Sequence, residues 1–131
     1  MFFDYYVFTE GSFTNVNRDG MTIGYQLKTR IPYYRGVPLS MIAGVELEVD
    51  NQRIDPKSIQ FKPSEGESWY SLQEMKMITN KKWEFGTEAI VFVEKQGGLE
   101  MGEHKLTLRV TITVAYAPIN FMGECSRLVK V

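Results

Sequence analysis

The 131 residues carry 44% hydrophobic and 24% charged side chains, ordinary globular proportions that exclude a disordered chain and fit one domain with one core. The formal net charge of −1 lacks the basic excess of a nucleic-acid binder. A single cysteine, Cys125, excludes an internal disulfide and a cysteine-based zinc site, and no apolar run reaches the roughly 20 residues of a membrane-spanning helix.

Read in order, the chain is a series of short strands. Phe2 to Phe8 is aromatic and β-branched, interrupted by Asp4 and without a basic leader, so it reads as a first strand and not as a signal peptide. With the lone thiol, this points to a reducing, cytoplasmic setting. Ser12 to Val16 is a second short strand, and Asn17-Arg18-Asp19-Gly20 is hairpin chemistry because Asp-Gly tolerates positive φ. Met21 to Arg30 alternates, with Met21, Ile23, Tyr25 and Leu27 predicted to face the core.

Arg30 to Ser40, RIPYYRGVPLS, is a stiffened loop. Pro32 and Pro38 fix φ, and Gly36 supplies freedom between them. It presents Arg30, Tyr33, Tyr34 and Arg35, and Tyr and Arg are enriched at interface hot spots. The plainer reading is a loop packed on its own domain.

Val45, Leu47 and Val49 alternate with Glu46, Glu48 and Asp50, a strand with a carboxylate face, followed by a tight connection at Asp50-Asn51-Gln52. Ser58 to Lys62 is a further strand. Ser71-Leu72-Gln73-Glu74 matches a capping box and predicts one or two helical turns. Ala89 to Glu94 is apolar on both faces and reads as a central, doubly covered strand. From Lys105 to Tyr116 period two is sustained, with Leu106, Leu108, Val110, Ile112 and Val114 on the buried face, until Pro118 ends it. The sum is an all-β fold: an antiparallel β-sandwich or jelly-roll-like single domain over 1–131, with at most one short helix.

Candidate chemistry is sparse. His104, the only histidine, is a weak candidate for a general base, and its ordinary reading is a strand-end residue with a local hydrogen bond. No metal site is expected, because a metal needs several ligands and no second histidine exists. The carboxylate row Glu46, Glu48, Asp50 reads as a solvated face. Tyr5, Tyr6, Trp69, Tyr70 and Trp83 fit a sugar-stacking platform or a core equally well, so the places of Trp69 and Trp83 stay open.

These motifs together resemble the small (β) subunits of bacterial C-glycoside deglycosidases. The residues that carry the likeness are MFFDYYVF at the start, GYQLKTRIPYYRGVPLSMI from Gly24 to Ile42, and VELEVD from Val45 to Asp50. The Trp83-Glu84-Phe85-Gly86 segment, GGLEMGEHKL from Gly97 to Leu106, and the strand closing at Tyr116 complete it.

The resemblance implies a hetero-oligomer with a large α subunit of TIM-barrel fold that holds a divalent metal, usually manganese, while this chain binds no cofactor. It implies cleavage of the carbon–carbon bond of 3-oxo-C-glycosides with flavonoid-type aglycones. The 3-keto group acidifies the C2 hydrogen, and the aglycone leaves by elimination from a metal-stabilised enolate. With no catalytic residue expected in this chain, Arg30, Tyr33, Tyr34, Arg35 and Pro38 are the residues assigned to partner or substrate contact. Two other classes stay in play: a carbohydrate-binding β-sandwich, and a structural partner of another sugar isomerase or epimerase.

Overall fold

The structure, a computed structural model, describes residues 7–114 and 120–131. Eleven strands and one short α-helix occur among them, with single 3-10 turns at Leu39–Met41 and Pro56–Ser58. They are β1 (Thr14–Arg18), β2 (Met21–Thr29), β3 (Val37–Pro38), β4 (Ile42–Val49), β5 (Gln52–Arg53), β6 (Ile59–Lys62), β7 (Tyr70–Ser71), α1 (Leu72–Met75), β8 (Lys82–Trp83), β9 (Ala89–Glu94), β10 (Glu103–Ile112) and β11 (Phe121–Lys130). Two antiparallel sheets form, in the orders β1-β2-β9-β6-β7 and β11-β10-β4-β5, with a small β3-β8 pair beside them. The all-β, antiparallel architecture read from the sequence is the one observed. No helix among the described residues is long and apolar enough to cross a membrane.

Alternation explains the layers. Leu106, Leu108, Val110 and Ile112 of β10 are fully buried, as are Tyr25 and Leu27 of β2 and Val91 of β9. These inner faces join in a single core cluster that also takes Val45 and Leu47 from β4 and Ile59 and Phe61 from β6. Side chains at alternate positions point to one side of the sheet, so each strand contributes every second residue to this core.

Local chemistry sets the corners. Asp19 and Gly20 take φ of 53° and 80°, and Asp50 and Asn51 take 53° and 67°, the paired positive φ of tight hairpin turns. Ser71 accepts from Glu74 N at 3.1 Å while Glu74 Oε1 accepts from Ser71 N at 2.7 Å, so the predicted capping box is complete. The helix it starts runs only from Leu72 to Met75.

Three expectations change. Met21 is 62% exposed, not in the core. The β1–β2 register shifts between Val16 and Asn17, so Ile23 has no partner on β1, and this bulge reverses the facing of the residues before it. β9 is central, but its outer face is only partly covered, and Phe92 is half-buried there. β11 is a strand that no pattern in its own sequence announces. It pairs with β10 along its whole length, from Glu103↔Lys130 to Ile112↔Phe121. The expected first strand falls mostly outside the described residues, which keep only the bridge Phe8↔Thr29, and the predicted strand end at Tyr116 and Pro118 also lies outside them.

One core group is costly. The Tyr25 hydroxyl is buried with no hydrogen-bond partner among the described residues, and burial pushes its pKa up to about 12. Leaving a buried hydroxyl unpaired typically costs about 1–3 kcal/mol in proteins. Tyr25→Phe keeps the ring contact with Phe13 and is expected to leave the melting temperature unchanged or raise it by up to about 4 °C. Thermal unfolding followed by circular dichroism checks this; a drop would mean that the hydroxyl is satisfied.

Candidate functional site

The Arg30–Ser40 loop is built by the small β3-β8 pair. Val37 pairs with Trp83 and Pro38 with Lys82. Trp83 is fully buried, donates Nε1–H to Thr87 O at 3.1 Å, and meets Phe61 edge-on at 5.1 Å between centroids. At Gly36 the two segments touch so closely that a Cβ would lie 3.0 Å from Trp83 O and 3.1 Å from Glu84 Cα. Glycine is what lets this loop lie against the 83–86 segment.

That packing divides the predicted residues. Tyr33 is fully buried, with its ring 4.7 Å from Phe121 and 4.3 Å from Tyr34. Assigned to partner contact from the sequence, it is instead a core side chain, packed with the hydrophobic cluster against Phe121 of β11. Tyr34 is 60% exposed, and the Arg35 guanidinium lies 5.8 Å from its ring centroid. Phe85, 51% exposed, sits on the adjoining segment. Arg30 and Pro38 are half-buried, and Arg30 N donates to Val7 O at 3.0 Å. The exposed part of the loop is therefore Tyr34 and Arg35, beside Phe85. The one sequence signal for the aromatic at 85 is its position before Gly86 in a short loop. Of the two tryptophans, Trp83 is core and Trp69 is 38% exposed.

The carboxylate row is not merely solvated. Arg109 lies directly across from Glu46 on one side and Glu124 on the other. Its guanidinium donates to Glu46 Oε2 at 3.0 Å and to Glu124 Oε2 at 2.9 and 3.0 Å, and these carboxylates, Glu124 first, raise the Arg109 pKa. Cross-strand pairs of this kind pin register.

His104 is held, not poised. Nδ1 lies 2.7 Å from Asp50 Oδ2 and Nε2 lies 2.6 Å from Glu100 O. A neutral imidazole has one N–H, so only the imidazolium donates to both acceptors. The hydrogen bond to Asp50, then that to Glu100, raises the His104 pKa; the bond to His104, then that from Lys105 N–H, lowers the Asp50 pKa. Cys125 is buried. No group of three or more His, Cys, Asp or Glu gathers among the described residues.

The signs define a pH window. His104, with its pKa raised above 6.5, contributes fully below that value and loses its contribution as pH rises through the folded pKa. Asp50, lowered below 3.8, contributes fully above that value and loses its contribution as pH falls through the folded pKa. The difference in melting temperature between the native chain and His104→Ala is expected to be largest near pH 5–6 and to shrink by pH 9, within the window these shifts define. Melts across that range test it; a difference independent of pH would show that the imidazolium is not what the corner uses.

Comparison with known proteins places these features. The family described as C-glycoside deglycosidase beta subunit matches residues 3–116. The C-glycoside deglycosidase beta subunit of Eubacterium cellulosolvens is 37% identical over 107 residues, covering 81% of this chain and 71% of that protein. The protein of the same name from Microbacterium trichothecenolyticum is 30% identical over 97 residues, 72% of this chain and 70% of its own. The 3'-dehydrocarminate deglycosidase beta subunit of a Microbacterium species is 27% identical over 96 residues, covering 73% and 70%. The family match takes in the Tyr34–Arg35 loop, the His104 corner and both faces of the sandwich up to β10, and on that breadth the chain belongs to the C-glycoside deglycosidase beta subunit family.

Proposed function

We propose that this chain is the noncatalytic subunit of a heteromeric C-glycoside deglycosidase, and that it supports or caps a catalytic centre carried by a large subunit. Family membership carries the reading. The chain's own inventory supports it: the one imidazole is bound at both nitrogens, the thiol is buried, and no three ligand-type side chains converge among the described residues. Proton abstraction beside a ketone needs a base free to meet substrate.

In this reading the large subunit is a TIM barrel with a divalent metal, usually manganese. The substrate is a 3-oxo-C-glycoside with a flavonoid-type aglycone; the C2 proton is removed, a C1–C2 double bond forms as the C1–aglycone bond breaks, and its electron pair leaves on the aglycone carbon, which takes up a proton. Cleavage by elimination makes the complex a carbon–carbon lyase. The setting is cytoplasmic, in keeping with a sequence that carries a single cysteine. Tyr34 and Arg35 are the contact residues of the loop, with Tyr33, Pro38 and Arg30 holding its shape. Tyr and Arg side by side on a rigid loop are the types that most often dominate an interface.

Two measurements test this. Turnover of a 3-oxo C-glucoside with manganese is expected only when both subunits are mixed; full activity of the large subunit alone would reduce this chain to a stabiliser. The double variant Tyr34→Ala/Arg35→Ala is expected to weaken association with the large subunit about tenfold or more, the usual cost of losing interface anchors. Unchanged affinity and turnover would remove the loop from the interface.

A further inference from the structure

The outer face of the five-stranded sheet carries a cavity of about 500 Å³. Its floor is a row set by register: Gln26 of β2, Phe92 of β9 and Gln60 of β6 stand directly across from one another. The Phe92 ring lies over Gly24, where a Cβ would come within 2.8 Å of it and within 2.1 Å of Val93 O. The missing side chain at 24 is thus what lets the ring lie low across the strands. Trp69 forms a wall, edge-on to Phe92 at 6.1 Å and steadied by Lys62 at 4.9 Å from its centroid. The loop at Tyr34 does not line this cavity.

We propose that this cavity binds a hexopyranoside, with the sugar ring over Phe92 and its hydroxyls taken by Gln26 and Gln60. Four observations carry it. A half-buried aromatic ring flanked on both sides by amides in one row offers an apolar patch bordered by groups that both donate and accept. A pyranose has that same form, a C–H face with a rim of hydroxyls. The amides of Gln26 and Gln60 make no hydrogen bond among the described residues, so their capacity is unspent. Arg18 and Glu94 also line the cavity with no ion pair among the described residues, which suits a polar ligand over an apolar protein surface. The volume lies in the range of roughly 300–1,000 Å³ that small-molecule sites occupy. The sugar site stands on this geometry; only the choice of a C-glucoside as the ligand tested rests on the proposed function.

The test is equilibrium dialysis of a flavone C-glucoside, not oxidised at C3, against this chain copurified with its large subunit. The unoxidised sugar isolates binding from turnover, so this test and the activity assay fail separately. Two ligands per pair of subunits are expected if the large subunit also binds the probe, and one if it does not. The variant Gln26→Ala/Gln60→Ala is expected to weaken the site on this chain about tenfold or more, as loss of two hydrogen-bonding groups does, with turnover of saturating 3-oxo substrate retained. The exposed substitution Gln60→Ala alone, with an unchanged melting temperature, guards against misfolding and is expected to give a smaller loss. Binding of the free aglycone as tightly as the glucoside, an affinity unaffected by the double variant, or a Trp69 rim shielded by the large subunit would overturn the proposal.

Discussion

The antiparallel pairing of β10 with β4 on one side and β11 on the other is the constraint on which the molecule depends. Ten residues of strict alternation leave a single register that buries Leu106, Leu108, Val110 and Ile112, because a slip of one residue would turn all four to solvent. Arg109 enforces the same register from the outside, bridging Glu46 and Glu124 across three strands. Core and surface therefore specify one alignment, and the second sheet packs on a face already defined.

From this frame the Arg30–Ser40 loop gains its rigidity. Trp83 and Tyr33 are both fully buried, and each anchors one of two loops that lie against each other at Gly36. Anchors of this size hold the neighbouring Tyr34 and Arg35 outward with little freedom left to lose. A preformed loop of that kind binds at lower entropic cost than a mobile one. The His104–Asp50 pair does comparable work at the opposite corner, joining the β4–β5 turn to the start of β10 and to the backbone at Glu100. Both polar clusters organise backbone.

The two sheets have different outer faces. That of the four-stranded sheet is threaded by cross-strand ion pairs, whereas that of the five-stranded sheet has an aromatic floor between uncommitted amides. The first is satisfied within the chain and the second is not. That contrast separates a surface spent on stability from one available to a ligand.

Much of this was legible in the residues themselves. Strong period-two runs such as Val45–Asp50 and Leu106–Val114, the turns at Asp19-Gly20 and Asp50-Asn51, and the capping box at Ser71–Glu74 are encoded within a few neighbouring residues, so they can be read without the fold. The family likeness was legible too, because it lies in the order of whole motifs. β11 was not, since an edge strand with Gly123 and Arg127 on its inner phase takes its form from β10 and not from its own pattern. The bulge at Ile23 was equally hidden, and with it the place of Met21 on the cavity side. Only the tertiary structure decided that Tyr33 is core while Tyr34 is surface, and that Gln26, Phe92 and Gln60, far apart in the chain, form one row. Local sequence determines which backbone shapes are favourable, but burial and cross-strand neighbours arise from pairing between distant segments, and that pairing exists only once the sheets have formed.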